Sequence, residues 1–229
     1  MKIAFMGAGA VGKSTLIEGM IQQWPMYKRP ERTYRDLIKE QNITVNKDGT
    51  VEFQRAILSA LVDEAQLAAA SGDEFIVFDR CVIDNIVYSL WHAGHGTPGF
   101  DEVFLKESKA IASTALHYYD IIFYVPASNE IPLTPRENRE TDAEFRDEID
   151  NIFKALMSSY EKGTGAFFPA EDCPAVIELM GPPDLRLPQL KLYIKENGKP
   201  FGEQDGSLIA NVSEDELNAV HQSRKVIED

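Results

Sequence analysis

The chain has 229 residues, 44% of them hydrophobic, with 23 Lys and Arg against 37 Asp and Glu for a formal net charge of -14. That length suits one α/β domain with a substrate-binding insertion better than two independent domains. The charge argues against a broad, non-specific grip on nucleic acid or anionic membrane, while leaving room for a local basic groove.

Lys2-Ile3-Ala4-Phe5-Met6 reads as a buried strand and leads at once into Gly7-Ala8-Gly9-Ala10-Val11-Gly12-Lys13-Ser14. The second run meets G-x-x-x-x-G-K-[ST] at every fixed position. Its glycines let the backbone curl into a nest of inward N–H groups that holds phosphate oxygens together with the following helix N-terminus. Lys13 reaches the β- and γ-phosphates, and the Ser14 hydroxyl is suited to Mg²⁺. Leu16, Ile17, Met20 and Ile21 recur at helical spacing behind the motif, the context it requires. No apolar run approaches membrane-spanning length and no cleavable leader is expected, so a soluble, cytoplasmic protein is expected. Cys81 and Cys173 lack metal-ligand spacing and are expected as free thiols in a reducing interior.

Farther along, Trp24-Pro25 marks a turn, and a short extended piece near Met26-Tyr27 is expected before the charged stretch Lys28 to Arg35. Helices are expected from about Thr33 to Gln41 and from Val51 to about Ala70, with a turn at Asn46 to Gly49 between them. Phe75 to Phe78 reads as a central strand ending in Asp79-Arg80. Helical stretches at about Val82 to His92 and Asp101 to His117 flank a glycine-rich connection, and Ile121 to Val125 is the next buried strand. Thr141 with Glu144 has the spacing of a capping box for a helix whose apolar face runs from Phe145 to Tyr160. Ala175 to Leu179 is the last strand. The pattern predicts a doubly wound parallel sheet of five strands with helices on both faces, occupying residues 1–195. Residues 203–229 carry seven acidic and two basic side chains, so 196–229 reads as an acidic appendage or tail.

Asp79-Arg80 lies where an open α/β sheet binds its ligand, outside the carboxyl end of a strand. An apolar strand ending in Asp supplies a carboxylate toward Mg²⁺ in P-loop proteins. Arg80 cannot act as a base but suits bidentate capture of phosphate or carboxylate, which favours transfer to a bound acceptor over hydrolysis. A structural Asp79–Arg80 ion pair is the plainer reading of the same two letters. Asn46-Lys47-Asp48-Gly49 is superficially like the guanine-reading N-K-x-D, but its Asp falls one position early. A D-x-x-G switch is missing after Asp79, so a GTPase is discounted.

With these pieces in order, the chain resembles the P-loop kinases of nucleosides and nucleotides, especially the ATP-binding kinases common in phages and related to ribosylnicotinamide kinase. The resemblance spans about residues 1–190 and rests on the phosphate loop, Pro30 to Arg35, Asp79-Arg80, the stretch Arg136 to Asp142, and Gly181 with Arg186. It implies the P-loop NTPase fold with a lid over about 127–142, and ATP and Mg²⁺ as cofactors. By the same resemblance Gly7, Gly9, Ala10, Val11, Gly12, Lys13, Ser14 and Thr15 hold the nucleotide, Arg186 frames the adenine, and Ser14 and Asp79 hold the metal. Glu31 takes the acceptor proton, with Asp36 and Asp79 as competing bases, and Arg32, Arg35 and Arg80 bind the acceptor. Arg136 and Arg139 close the lid over the phosphates.

Plainer readings stand beside these: a solvated helix start for Glu31 to Arg35, and a stiffened surface loop for the lid arginines. Trp91 suits either stacking on an acceptor base or the core, the commoner place for a helical Trp. The resulting expectation is transfer of the ATP γ-phosphate to a nucleoside, a nucleotide or a related metabolite. Transfer to a modified base or terminus in DNA, and an ATP-binding switch with a protein partner, are the alternatives.

Overall fold

Four short apolar segments assemble into one parallel sheet in the computed structural model, which describes residues 1–40, 46–131, 133, 142–161 and 173–201. The strands are β1 (Lys2–Met6), β2 (Ile76–Asp79), β3 (Ile121–Tyr124) and β4 (Ala175–Glu178), in the order β2-β1-β3-β4. The two inner strands are continuous hydrophobic runs because both their faces are covered: Ile3, Ala4, Phe5 and Met6 are fully buried, and so is β3. Ile3 lies opposite Val77 on one side and Ile121 on the other, which sets the register of the core.

The helices are α1 (Lys13–Gln23), α2 (Tyr34–Glu40), α3 (Val51–Ala70), α4 (Val82–Gly94), α5 (Glu102–Ala115), α6 (Ala143–Glu161) and α7 (Pro183–Leu190). They pack in two groups: α1 against α7, and α3, α4 and α5 against one another with α6 beside α4. The chain leaves β1 for one side of the sheet and then crosses to β3 on the other, so the loop after β1 lies at the topological switch point.

The fifth strand expected near Met26-Tyr27 is reduced to a single parallel bridge. Lys28 pairs with Ile76, its N–H donating to Phe75 O and its carbonyl accepting from Val77 N. Pro25 and Pro30 bracket this piece, and neither has an N–H with which to extend the ladder. The α6 start also differs in detail. Thr141 lies outside the described residues, and the Asp142 carboxylate accepts from Phe145 N at 3.1 Å as the N-cap.

Helix α7 was not expected, because Gly181-Pro182-Pro183 reads as a stop. Pro183 is instead the first residue of the helix, where a missing N–H is harmless. Beyond it the chain turns back through an antiparallel Ile194–Pro200 bridge. Trp24 Nε1 donates to Lys195 O at 2.9 Å and the Tyr27 hydroxyl to Gly198 O at 2.6 Å, so this hairpin is docked on the core past the expected boundary at 195. The remainder of the acidic appendage, 202–229, is outside the described residues.

Phe123 is fully buried, stacks on Phe5 with ring centroids 5.4 Å apart and meets Tyr193 edge-on. Phe123→Ala is expected to cost about 3–5 kcal/mol, as for other buried aromatic truncations. Urea denaturation should show an earlier midpoint at unchanged slope; an unchanged midpoint would mean that the β1–β3 seam is not the core.

Candidate functional site

The β1–α1 loop is shaped by backbone conformations that side chains resist. Gly7 has φ 145, and a Cβ there would stand 2.4 Å from Val125 O on the strand-end of β3. Gly12 has φ 90 and occupies the N-cap of α1 with no side-chain cap, so the first-turn amides of α1 have no capping group and are suited to an anion. Lys13 folds back over the loop, donating to Gly7 O at 2.7 Å and Ala8 O at 2.5 Å. Burial, with the Arg80 charge adding to it, pushes the Lys13 ammonium down to about 7. A phosphate beside it would restore the charged form.

Across the loop, Ser14 Oγ donates to Asp79 Oδ2 at 2.9 Å, and Arg35 of α2 reaches the same oxygen at 3.1 Å. Burial opposes ionisation of Asp79, yet Arg35, Lys13 and Arg80 hold it below the usual carboxylate range. Its other oxygen, Oδ1, is buried without a hydrogen-bond partner. A hydroxyl beside an ionised carboxylate with an orphaned oxygen fits Mg²⁺, a hard cation that binds through one or two protein oxygens with phosphate and water completing its shell. No cluster of three or more His, Cys, Asp or Glu able to hold a metal occurs among the described residues.

Arg80 does not pair with Asp79, which removes the plain ion-pair reading. Its φ of 95 places a bulky residue in the left-handed region, a strain of about 1–3 kcal/mol that persists only where the surroundings impose it. Arg80 N donates to Phe5 O, and the guanidinium donates to Asp84 Oδ1 at 2.9 Å and contacts Tyr88 OH and Gly7 O at 3.4 Å. Asp84 also accepts from Gly7 N and Cys81 N. Sequence reasoning missed Asp84; its place three residues after the N-cap Cys81 was the available signal.

The acceptor side is more mixed. Glu31 and Arg32 are exposed, and Arg32 pairs with Glu40 rather than facing the loop. Asp36 accepts from both Thr33 N and Thr33 Oγ1, so its carboxylate is engaged at the start of α2. Trp91 is occupied within the α4–α6 packing. His95 stacks on it at 4.1 Å, Phe145 meets it edge-on, and its Nε1 donates to Glu148. Acceptor stacking is therefore dropped in favour of the core reading. Arg186 is buried, with its guanidinium on Val11 O and Pro126 O. Gly9, Ala10 and Val11 complete the loop, and Thr15 is exposed on α1. Arg136 and Arg139, with most of the expected lid, lie outside the described residues.

A glycine nest over a helix N-terminus, a folded-back lysine and a Ser–Asp pair at the switch point define a P-loop nucleotide-binding fold. The sequence profile of a family described as AAA domain matches residues 2–162, and the chain belongs to that family. No curated protein matches the chain. Among solved structures, thymidylate kinase from Candida albicans is similar at 15% identity and TM-score 0.53, covering 82% of this chain and 88% of its own. Deoxyadenosine kinase from M. mycoides, with products dCMP and dCDP, is similar at 17% identity and TM-score 0.54, covering 83% and 96%. The NadR protein in complex with NR is similar at 14% identity and TM-score 0.56; 86% of this chain aligns with 48% of that longer one. The shared feature is the fold of P-loop nucleoside and nucleotide kinases, and among the described residues the sheet has four strands where five were expected.

Glu64 on α3 was also unanticipated. It is buried beside α2, where Tyr34 N donates to its Oε2 at 3.4 Å. Burial raises its carboxyl from 4.5 to about 8, with Asp79 and Asp36 adding and Arg35 opposing. An acid raised on folding holds its proton in the native state where the unfolded chain has lost it, so it contributes a stability that falls as pH climbs from about 4.5 to about 8. Comparing melting temperatures of wild type and Glu64→Gln should show the variant gaining on the wild type across that interval. A constant difference would mean that Glu64 ionises normally.

Proposed function

We propose that this protein is an ATP- and Mg²⁺-dependent kinase that transfers the γ-phosphate to a hydroxyl or phosphate of a nucleoside, a nucleotide or a related metabolite. The observation that carries the reading is the convergence, at the carboxyl ends of β1 and β2, of Lys13, the Ser14–Asp79 pair and the strained Arg80. Thymidylate kinase and deoxyadenosine kinase share the fold, and this likeness favours a nucleoside or nucleotide acceptor.

The loop amides and Lys13 hold the ATP phosphates and draw charge toward the leaving oxygen. Ser14 and Asp79 would hold Mg²⁺, which would supply positive charge against the developing phosphate charge. Arg80, fixed by Asp84, presents a cation between the loop and the acceptor. Arg35 links the acceptor segment to Asp79, and Arg32 needs only to leave its exposed pairing with Glu40 to engage an acceptor group. Glu31 orients the acceptor hydroxyl and takes its proton late in a loose transfer. Arg136 and Arg139 close over the phosphates and exclude water.

Transfer from γ-labelled ATP to a panel of nucleosides, deoxynucleoside monophosphates, nicotinamide riboside and DNA, with and without hydroxymethylated pyrimidines, tests the proposal. Label on a small molecule supports it and names the acceptor. Label on DNA moves the function to nucleic-acid modification, and free phosphate at an acceptor-independent rate replaces the kinase with an ATP switch. Glu31→Gln should keep both substrates and slow transfer by about 10²–10⁴-fold; full activity would take the proton-accepting role from Glu31. Arg139→Ala should lower kcat far more than ATP affinity, and unchanged turnover would remove it from the lid.

A further inference from the structure

Arg186 is 2% exposed on α7, and its guanidinium forks across two backbone carbonyls from distant parts of the chain. One terminal nitrogen donates to Val11 O in the phosphate loop at 2.7 Å, the other to Pro126 O just after β3 at 2.8 Å. No carboxylate among the described residues forms an ion pair with it, and its Nε is buried with no partner. A buried cation with Asp150 and Glu130 acting on it only from beyond ion-pair contact, and with one N–H orphaned, is an expensive way to stabilise a fold. Its position explains it better than its contribution to stability does.

Val11 C=O and Gly12 N–H are opposite ends of one planar peptide, so holding the carbonyl fixes the direction of the amide. That amide belongs to Gly12, the N-cap of α1. The second carbonyl lies at the root of the segment leading toward the expected lid. This root is gripped again at the next residue, where Ala127 N donates to the buried Asp150 carboxylate at 2.8 Å. The same segment then passes over the loop: Ile131 Cδ1 lies 3.1 Å from where a Cβ on Gly12 would stand.

We propose that Arg186 is a positioning residue for phosphate binding: it locks the Val11–Gly12 peptide of the loop to the Pro126 root of the overlying segment, and does so without recognising the adenine. The proposal rests on the nucleotide-binding reading of the loop. It replaces the adenine-framing role that resemblance assigns to this residue.

Calorimetric titration of wild type, Arg186→Met and Arg186→Lys with ATP and with inorganic tripolyphosphate, at fixed Mg²⁺, tests it. Arg186→Met should weaken both ligands by the same factor, about 10-fold or more for the loss of charge-assisted hydrogen bonds. Arg186→Lys should recover part of the loss, because an ammonium reaches one carbonyl but cannot fork across two. Weaker ATP binding with tripolyphosphate unchanged would assign Arg186 to the adenine and overturn the proposal. So would a lower melting temperature with both affinities intact, which is the signature of a purely structural role. Should Arg186→Met fail to fold, Arg186→Lys carries the same two-ligand comparison. Wild-type protein that binds neither ligand would defeat the loop reading itself, a failure visible before any variant is made.

Discussion

One buried carboxylate holds the site together. Asp84, 2% exposed, accepts from Gly7 N with one oxygen and from Cys81 N with the other, and takes the Arg80 guanidinium on the first. Those three donors belong to the loop after β1, the N-cap of α4 and the end of β2. Without that acceptor three donors would be left in a protein interior, one of them charged. Arg80 keeps its positive φ because its backbone is held by Phe5 O while its side chain is drawn to Asp84. The shape of the loop and the aim of the arginine are therefore one structural fact.

The same arrangement reconciles a strongly acidic chain with an anion site. The net charge of -14 is a property of the whole sequence, whereas the field at the loop is set by what lies within a few ångströms. There Lys13, Arg80 and Arg35 gather around the single partly buried carboxylate Asp79, with Asp84 behind Arg80. Like charges held this close repel one another, and the Arg80 charge adds to the burial that lowers the Lys13 pKa. Such a site gains more from an arriving anion than a solvated lysine would, since the anion relieves a repulsion already built in.

How much was readable in advance followed the physics of each element. The strands β1 and β3 were plain because burial on both faces demands unbroken apolar runs, and α3 because Ile57, Leu58, Leu61, Ala65 and Ala68 keep helical spacing within a helix of 20 residues. The loop was plain because only glycine tolerates the Val125 carbonyl so near Gly7. The lost strand at Lys28 and the added helix at Pro183 turned on proline, whose missing N–H weakens a ladder but suits a helix start. Asp84 and Glu64 escaped notice because a buried acid within an apolar face is marked by its partners, which come from other elements. Arg186 was picked out by family resemblance, but its carbonyl partners were visible only in three dimensions. Trp91 could have been core or site by its letters, and His95 and Phe145 decided it.

The docked hairpin constrains the order in which the molecule can be completed. Trp24 and Tyr27 find their hydrogen-bond acceptors 171 positions later in the chain, and β1 meets its first partner only with β2 at Ile76–Asp79 and its second only with β3 at Ile121–Tyr124. Synthesis from the N-terminal side therefore leaves the central strand with no partner until β2 has been made, and with one open edge until β3 has been made. Such long closures slow folding and extend the exposure of that strand. The segment that carries nucleotide chemistry in the finished protein is thus also the segment most in need of protection while the protein is being made.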